Sequence, residues 1–338
     1  MLKYAIIGFG GLGKVHFRAY PEVREKACTE IKLTALCDIR ESVFHTQTAT
    51  NLGDEKADLN LSAYHIYYSI DDLLDNEELD FVVTALPTYL HAEVAVKILN
   101  RGIHVFSEKP MALSEAEAES MVAAAKANHR KLMIGQCCRY EGKYVKLREL
   151  IDSGKYGKVL RAEFTRISGS PIWGWENWFM DESRSGGAIL DLHVHDVDMI
   201  HYIFGMPKSV TSYATNYKCK HDSVVTRYEY DDVLVTSVGE WGCPAGVFTG
   251  GGSGAFVKME QATVVIKGRE MMLYPEGGTA TEVTYPMNND YADEVIDFVD
   301  CVVNDKISAI NPVEDTLQTT RIALAEKRSA DLGVTVKL

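Results

Sequence analysis

The chain reads as an α/β domain on a parallel, doubly wound sheet over residues 1–140, then an α+β domain with a large, mostly antiparallel open sheet over 141–338. Three observations predict this. At 338 residues the chain is long for one hydrophobic core. Up to Gly135, short apolar runs alternate with amphipathic stretches, the order of a parallel sheet with crossover helices. After Tyr140 the runs become extended and follow one another directly, as in hairpins.

In the first domain the strand-like runs are Tyr4–Gly8, Leu33–Cys37, Phe81–Ala85, His104–Phe106 and Leu132–Gly135. Helical patterns between them include His91–Asn100 and Ser114–Asn128. Ser114 and Glu117 have the spacing of a capping box, and Gly102 suits a helix C-terminus. In the second domain the extended runs are Val159–Ser168, Ser209–Tyr217, Val224–Tyr230, Val233–Trp241 and Phe256–Ile266, with a hairpin signal at Asp231-Asp232. Two helices, Tyr291–Val303 and Val313–Leu332, close the chain. The run Gly250-Gly251-Gly252-Ser253-Gly254 is expected to be a loop between strands.

Composition narrows the function. Net charge is −13, from 35 basic and 48 acidic residues, which argues against nucleic acid or an anionic membrane as partner. No apolar run approaches the ~20 residues a membrane span needs. The N-terminus enters a strand pattern at once, without the features of a signal peptide. Seven cysteines without framework spacing suit reduced thiols, so a cytoplasmic protein is expected. The adjacent pair Cys137-Cys138 suits neither zinc nor a redox motif and is expected to pack in a strand.

Gly8-Phe9-Gly10-Gly11-Leu12-Gly13 is a G-x-G-x-x-G that follows an apolar strand and opens a helix. In that context the first glycine permits the turn, the second lets backbone approach a pyrophosphate and the third packs helix on strand. The helix N-terminus offers amide donors to the phosphates. A dinucleotide is therefore the expected ligand. Asp38, ending the second strand, is placed to accept both ribose hydroxyls and to repel a 2′-phosphate, which favours NAD. Arg40, two residues on, suits that phosphate and leaves NADP open.

The stretch Ile189-Leu190-Asp191-Leu192-His193-Val194-His195-Asp196-Val197-Asp198 reads two ways. As a strand it points Asp191, His193 and His195 to one face, like the metal-binding H-x-H of amidohydrolases. As a helix it groups Asp191, His195 and Asp198 and points His193 away. Apolar residues at Leu190, Val194, Val197 and Phe204 follow helical spacing, and Gly205 with Pro207 supplies a stop. Only His201 and His221 remain as later histidines, so no metal is expected.

Three further segments complete the pattern: Thr84-Ala85-Leu86-Pro87-Thr88-Tyr89-Leu90-His91, Ser107-Glu108-Lys109-Pro110, and Gly186-Gly187 followed by Asp191-x-x-x-His195-x-x-Asp198. With the glycine fingerprint, this order resembles the Gfo/Idh/MocA family of NAD(P)-dependent sugar and polyol oxidoreductases, over nearly the whole chain. The resemblance implies that the first domain is a Rossmann domain, and that Lys109, Asp191 and His195 form the catalytic set. It gives His193 no role, because the family has a small residue there. Leu86, Pro87 and Lys109 are then expected near the nicotinamide, as are His91 and Glu108, either of which also suits a cap or turn position.

The expected chemistry is hydride transfer between a secondary alcohol and the cofactor. His195 would exchange the hydroxyl proton near neutrality, and Lys109 would stabilise developing alkoxide. Asp191 would hold a neighbouring hydroxyl, and Asp198 would orient the imidazole. Trp173, Trp175 and Trp178 suit the C–H faces of a sugar or, equally, packing. Arg139 suits either the cleft or an ion pair, and His16 a cap or surface position. Two other functions fit the same residues less well: glycoside cleavage through transient oxidation, and a non-catalytic regulator. Apolar residues on both faces of the second sheet, as in Val233-Leu234-Val235 and Val264-Val265-Ile266, imply a homodimer or homotetramer.

Overall fold

The computed structural model describes residues 1–46, 59–244 and 252–338. The chain forms two compact units that are not consecutive in sequence. The first comprises Met1–Cys137 with Asn289–Thr316, and the second Cys138–Asn288 with Leu317–Leu338. A division at residue 140 does not describe the return of 289–316 to the first unit.

The first unit is built from β1 (Leu2–Ile7), α1 (Gly11–Lys26), β2 (Ile31–Cys37), β3 (His65–Tyr67), α2 (Ile70–Asn76), β4 (Phe81–Thr84), α3 (His91–Asn100), β5 (His104–Glu108), α4 (Glu115–Ala127) and β6 (Leu132–Gly135). The strands pair in parallel in the order β3-β2-β1-β4-β5-β6, the dinucleotide-binding arrangement. All four residues of β4 and of β6 are buried, as strands covered on both faces must be. The capping box at α4 forms: Ser114 Oγ accepts from the Glu117 N–H, and the Glu117 carboxylate accepts from the Ser114 N–H. Short β3 escapes sequence reading because an edge strand of three half-wet residues makes no apolar run.

The remaining elements are α5 (Gly142–Asp152), β7 (Val159–Gly169), α6 (Glu182–Ser185), α7 (Val194–Phe204), β8 (Ser209–Thr215), β9 (Ser223–Glu229), β10 (Leu234–Cys243), β11 (Ser253–Met259), β12 (Ala262–Lys267), β13 (Glu270–Pro275), β14 (Thr281–Glu282), α8 (Asp290–Val303), α9 (Val313–Leu332) and β15 (Val336–Lys337). Helix α8 lies in the first unit, where Ala292, Val295, Phe298 and Val299 join Tyr4, Ile6 and Phe81 in one core cluster. The second unit holds a nine-stranded sheet in the order β14-β13-β12-β11-β7-β10-β9-β8-β15, antiparallel except between β7 and β10. The extended run Phe256–Ile266 is two strands, turned at Glu260-Gln261 without glycine or proline. Gly250 and Gly251 of the glycine run lie outside the described residues, and Ser253 and Gly254 open β11.

Burial alternates along these strands, so one sheet face is core and the other is not. On the second face Val225 sits between Tyr213 and Val238 in register, and Phe256 lies beside Val265. Tyr213 is 70% and Val225 46% exposed. Arg161, Glu163 and Arg227 share this face, which is thus a mixed surface and not the uniformly apolar one the sequence suggests.

The stretch 189–198 is helical, and its first turn, Ile189–His193, is a π turn that leads into α7. Side chains before and after such a turn do not keep the α-helical i, i+4 relation assumed for Asp191 and His195. His193, which the helix reading turns away from the others, goes into the protein interior with no exposure. Its Nε2 is 2.9 Å from Ser237 Oγ on β10, and that hydroxyl is 2.7 Å from Tyr228 OH on β9. Glu326 of α9 approaches Nε2 at 3.4 Å.

Burial pushes the Glu326 carboxyl up to about 8 and the His193 imidazole down to about 4. At neutral pH both are therefore uncharged, which removes the cost of an isolated buried charge. An acid raised above its ordinary 4.5 stabilises the fold fully below that value and loses the effect as pH rises toward about 8. Glu326→Gln, neutral at every pH, should therefore gain melting temperature relative to the native protein as pH rises from about 4.5 to 8. Thermal unfolding across that range tests this; parallel curves for the two proteins would refute it.

Candidate active site

In the first unit the glycine fingerprint is built so tightly that side chains are excluded. A Cβ on Gly13 would stand 1.9 Å from Gly8 O, and one on Gly8 would stand 2.4 Å from Ala85 O, with φ at +88°. Helix and strand ends can approach this closely only as glycine. Helix α1 starts at Gly11 with no side-chain cap on Gly10, so its first amides are left to a ligand. Gly10, Gly11 and Leu12 are half-buried there. Phe9 is different: its ring is fully buried and stacks on Phe44, and only its backbone belongs to the turn.

Asp38 accepts from the Phe9 N–H at 2.9 Å, tying the glycine turn to the end of β2. Its carboxylate also holds Arg40 twice, Nε to Oδ1 and Nη2 to Oδ2, each at 3.0 Å. The Arg40 guanidinium is thus occupied by the neighbouring acid. These residues fit a dinucleotide: uncapped amides for phosphate, close backbone approach, and a carboxylate at the strand end.

The segment after β4 is anchored by His91. Its Nδ1 lies 2.7 Å from Pro110 O and its Nε2 2.8 Å from Leu86 O, and burial pushes its pKa down. The histidine joins the Leu86-Pro87 turn to the stretch that follows Lys109. Leu86, Pro87 and Lys109 are half-buried. Glu108 is interior, with Oε1 2.6 Å from His16 Nε2 and Oε2 accepting from the Lys109 N–H at 3.2 Å. His16 is 3% exposed, which corrects the cap or surface position expected of it. Among the described residues, Thr88 Oγ1 and both amide atoms of Gln136 are buried without a hydrogen-bond partner. Such groups cost ~1–3 kcal/mol if they stay unpaired, so they mark places where a bound molecule gains. Sequence reading missed both, because hydrophobic periodicity carries no signal for an interior polar residue.

In the second unit Asp191 is buried and His195 half-buried. His195 Nδ1 lies 3.8 Å from Cys138 Sγ, and Arg166 Nη2 approaches the same sulfur at 3.6 Å. Cys137 and Cys138 stand in a 3-10 turn, Cys137–Arg139, past β6. That corrects their expected place in a strand. Asp198 does not serve the imidazole as expected: Arg139 donates to both its oxygens at 2.8 Å, and Thr319 Oγ1 adds a bond at 2.9 Å. Both partners of this ion pair have fully buried side chains, and an acid pair is one of the two uses expected of Arg139. Two residues earlier Asp196 takes Arg166 at 3.0 and 3.1 Å. Burial works against the Arg166 charge, and its neighbours together, Asp196 foremost, outweigh that and hold the guanidinium firmly protonated.

The tryptophan loop packs largely on itself. Trp178 stacks on Phe179 at 4.0 Å, Trp173 lies 6.2 Å from the same ring, and Phe179 meets Trp241 edge-on. Arg184 covers Trp175. Trp173 and Trp178 keep part of their surface exposed.

Comparison with known proteins bears on the two domains. Residues 2–136 match the model of the Gfo/Idh/MocA oxidoreductase family with its NAD-binding Rossmann fold, and residues 144–270 match the family's C-terminal domain. An uncharacterized oxidoreductase of Streptococcus pneumoniae is 31% identical over 62% of this chain and 53% of its own. The inositol 2-dehydrogenase of Salmonella typhimurium is 28% identical over 60% of this chain and 54% of its own. These matches thus span about half the length of the curated relatives. In fold, the WlbA dehydrogenase of Bordetella pertussis, crystallised with NADH and UDP-GlcNAcA, superposes with a TM-score of 0.81 at 19% identity, covering 100% of this chain and 98% of that one. The chain belongs to the Gfo/Idh/MocA family of oxidoreductases, whose first domain is an NAD-binding Rossmann fold.

Proposed function

We propose that the protein is an NAD-dependent dehydrogenase that oxidises a secondary alcohol of a sugar, cyclic polyol or sugar derivative. The observation that carries this reading is the Asp38 carboxylate, bonded to the glycine turn and neutralising Arg40 in the same unit as Lys109. Bound NAD supplies the hydride acceptor. Lys109, at the carboxyl end of β5, donates to the alcohol oxygen and stabilises charge that develops there. His195 receives the hydroxyl proton, and Asp191 accepts from a neighbouring hydroxyl and holds the ring in register. Trp173 and Trp178 present half-exposed faces suited to sugar C–H groups. Cys138 beside His195 limits how far the imidazole can swing. A panel of polyols and sugars followed at the NADH absorbance band tests the reading. Absence of turnover with every member would sink it.

Lys109→Ala should lower kcat by at least ~100-fold, the scale of a positioned charge-stabilising group, while NAD binding measured by fluorescence stays intact. Near-native turnover would remove Lys109 from the mechanism.

NAD should be preferred to NADP, because the acid that suits the ribose also occupies the guanidinium that would meet a 2′-phosphate. Asp38→Ser removes the carboxylate that holds Arg40 and should shift kcat/KM toward NADP. A native protein that prefers NADP would reverse these assignments.

The outer face of the nine-stranded sheet, with Tyr213, Val225 and Leu234 exposed among Arg161, Glu163 and Arg227, suits a symmetric contact with a second copy. Light scattering at micromolar concentration should return the mass of a dimer or tetramer; a single-copy mass counts against this.

A further inference from the structure

We infer that His193 is a positioning residue, which through Ser237 locks the π turn carrying Asp191 to the β-sheet and so sets where Asp191 and His195 stand. The inference rests on the catalytic reading of those two side chains.

A π turn inside a helix widens the backbone by one residue, and it persists only where its surroundings hold it. Here the turn is held from two sides. Leu192 packs with Ala188 and Trp241 in an apolar cluster. His193 supplies the polar hold, with no exposure and its Nε2 on Ser237 Oγ. The sheet is shaped for the ring: a Cβ on Gly239, two residues along β10, would stand 2.7 Å from His193 Nδ1. Gly239 thus leaves the space that the imidazole fills. Among the described residues Nδ1 has no hydrogen-bond partner, so the bond between Nε2 and Ser237 Oγ is the one that orients the ring. Ser237, Tyr228 behind it and Glu326 from α9 lie at the ring, and the charges of the Arg166–Asp196 pair act on it.

Packing alone would be served by an apolar side chain without the cost of burying an imidazole. The hydrogen bond adds direction: it fixes rotation of the turn about its axis, and with it the two side chains on either side of His193. Displacement of a reacting group by about 1 Å costs up to about 100-fold in rate, so a loosened turn is visible in kinetics.

The test compares His193→Ala, Ser237→Ala and the double variant, each as the NAD-loaded full chain, with the best alcohol from the panel. Each single change should lower kcat/KM for the alcohol at least about tenfold with the Kd for NAD within about twofold of native. The double variant should be no worse than the poorer single one, because both remove the same bond. His193→Gln, which keeps an N–H donor, should recover part of the loss. Native-like kcat/KM in folded His193→Ala, or losses that multiply in the double variant, overturns the inference. Should His193→Ala fail to fold, Ser237→Ala with a native circular dichroism spectrum decides alone, and native-like kinetics there overturns it too. If the native protein turns over no alcohol, the catalytic reading fails by itself. The His195 imidazole resonances are then compared between native and Ser237→Ala; a shift supports the positioning role and identical resonances overturn it.

Discussion

Helix α7 carries its charges inward, and the second unit is arranged around that fact. Asp196 and Asp198 are both fully buried on a single turn, which is affordable only because Arg166 and Arg139 meet them with bidentate hydrogen bonds. Removing one partner of such a pair leaves a naked charge in the interior and costs ~3–5 kcal/mol. The two arginines come from different places, β7 and the turn after β6, so the helix cannot rotate or slide without breaking one of them. Thr319 bonds Asp198 and also lies 3.1 Å from His201 Nδ1, extending the same hold to α9.

The first unit meets its equivalent constraint with backbone, not charge. The clearance between Gly13 and Gly8 is smaller than any side chain, and the Asp38 carboxylate bridges the turn to the next strand. Both devices leave amides at the start of α1 for a ligand instead of satisfying them internally. His16, Glu108 and the Lys109 backbone continue this polar layer across the sheet to β5. A buried network of this sort rigidifies when each member finds its partner.

The fold classes and most of the long elements are legible in the sequence, because hydrophobic period and turn residues are local signals, whereas β3, β13, β14, β15, α2, α5 and α6 are not among the elements read from it. The strand at Leu132–Gly135 and the helix at His91–Asn100 match their expected bounds, since flanking glycine and polar residues punctuate them. Failures occur where the signal is not local. The run Phe256–Ile266 hides a turn, because Glu260 and Gln261 carry no turn chemistry of their own. Arg139, His16 and Asp198 are polar residues whose interior places are set by partners as far as 121 positions away, as with Thr319 and Asp198.

The sequence by itself determined the two fold classes, the nucleotide turn and the helical character of the Asp191–Asp198 stretch, all of which depend on neighbours within a few residues. Tertiary structure alone decided which charges pair and how the helix begins. Asp198 belongs to Arg139 and not to His195, Arg40 belongs to Asp38, and His193 belongs to Ser237. The physical reason is that a buried polar group is worth its place only when a partner arrives at hydrogen-bond distance, and those partners come from remote strands and helices. The π turn has the same origin: the local spacing is that of an ordinary α-helix, and the hold on Leu192 and His193 from β10 accompanies its widened first turn.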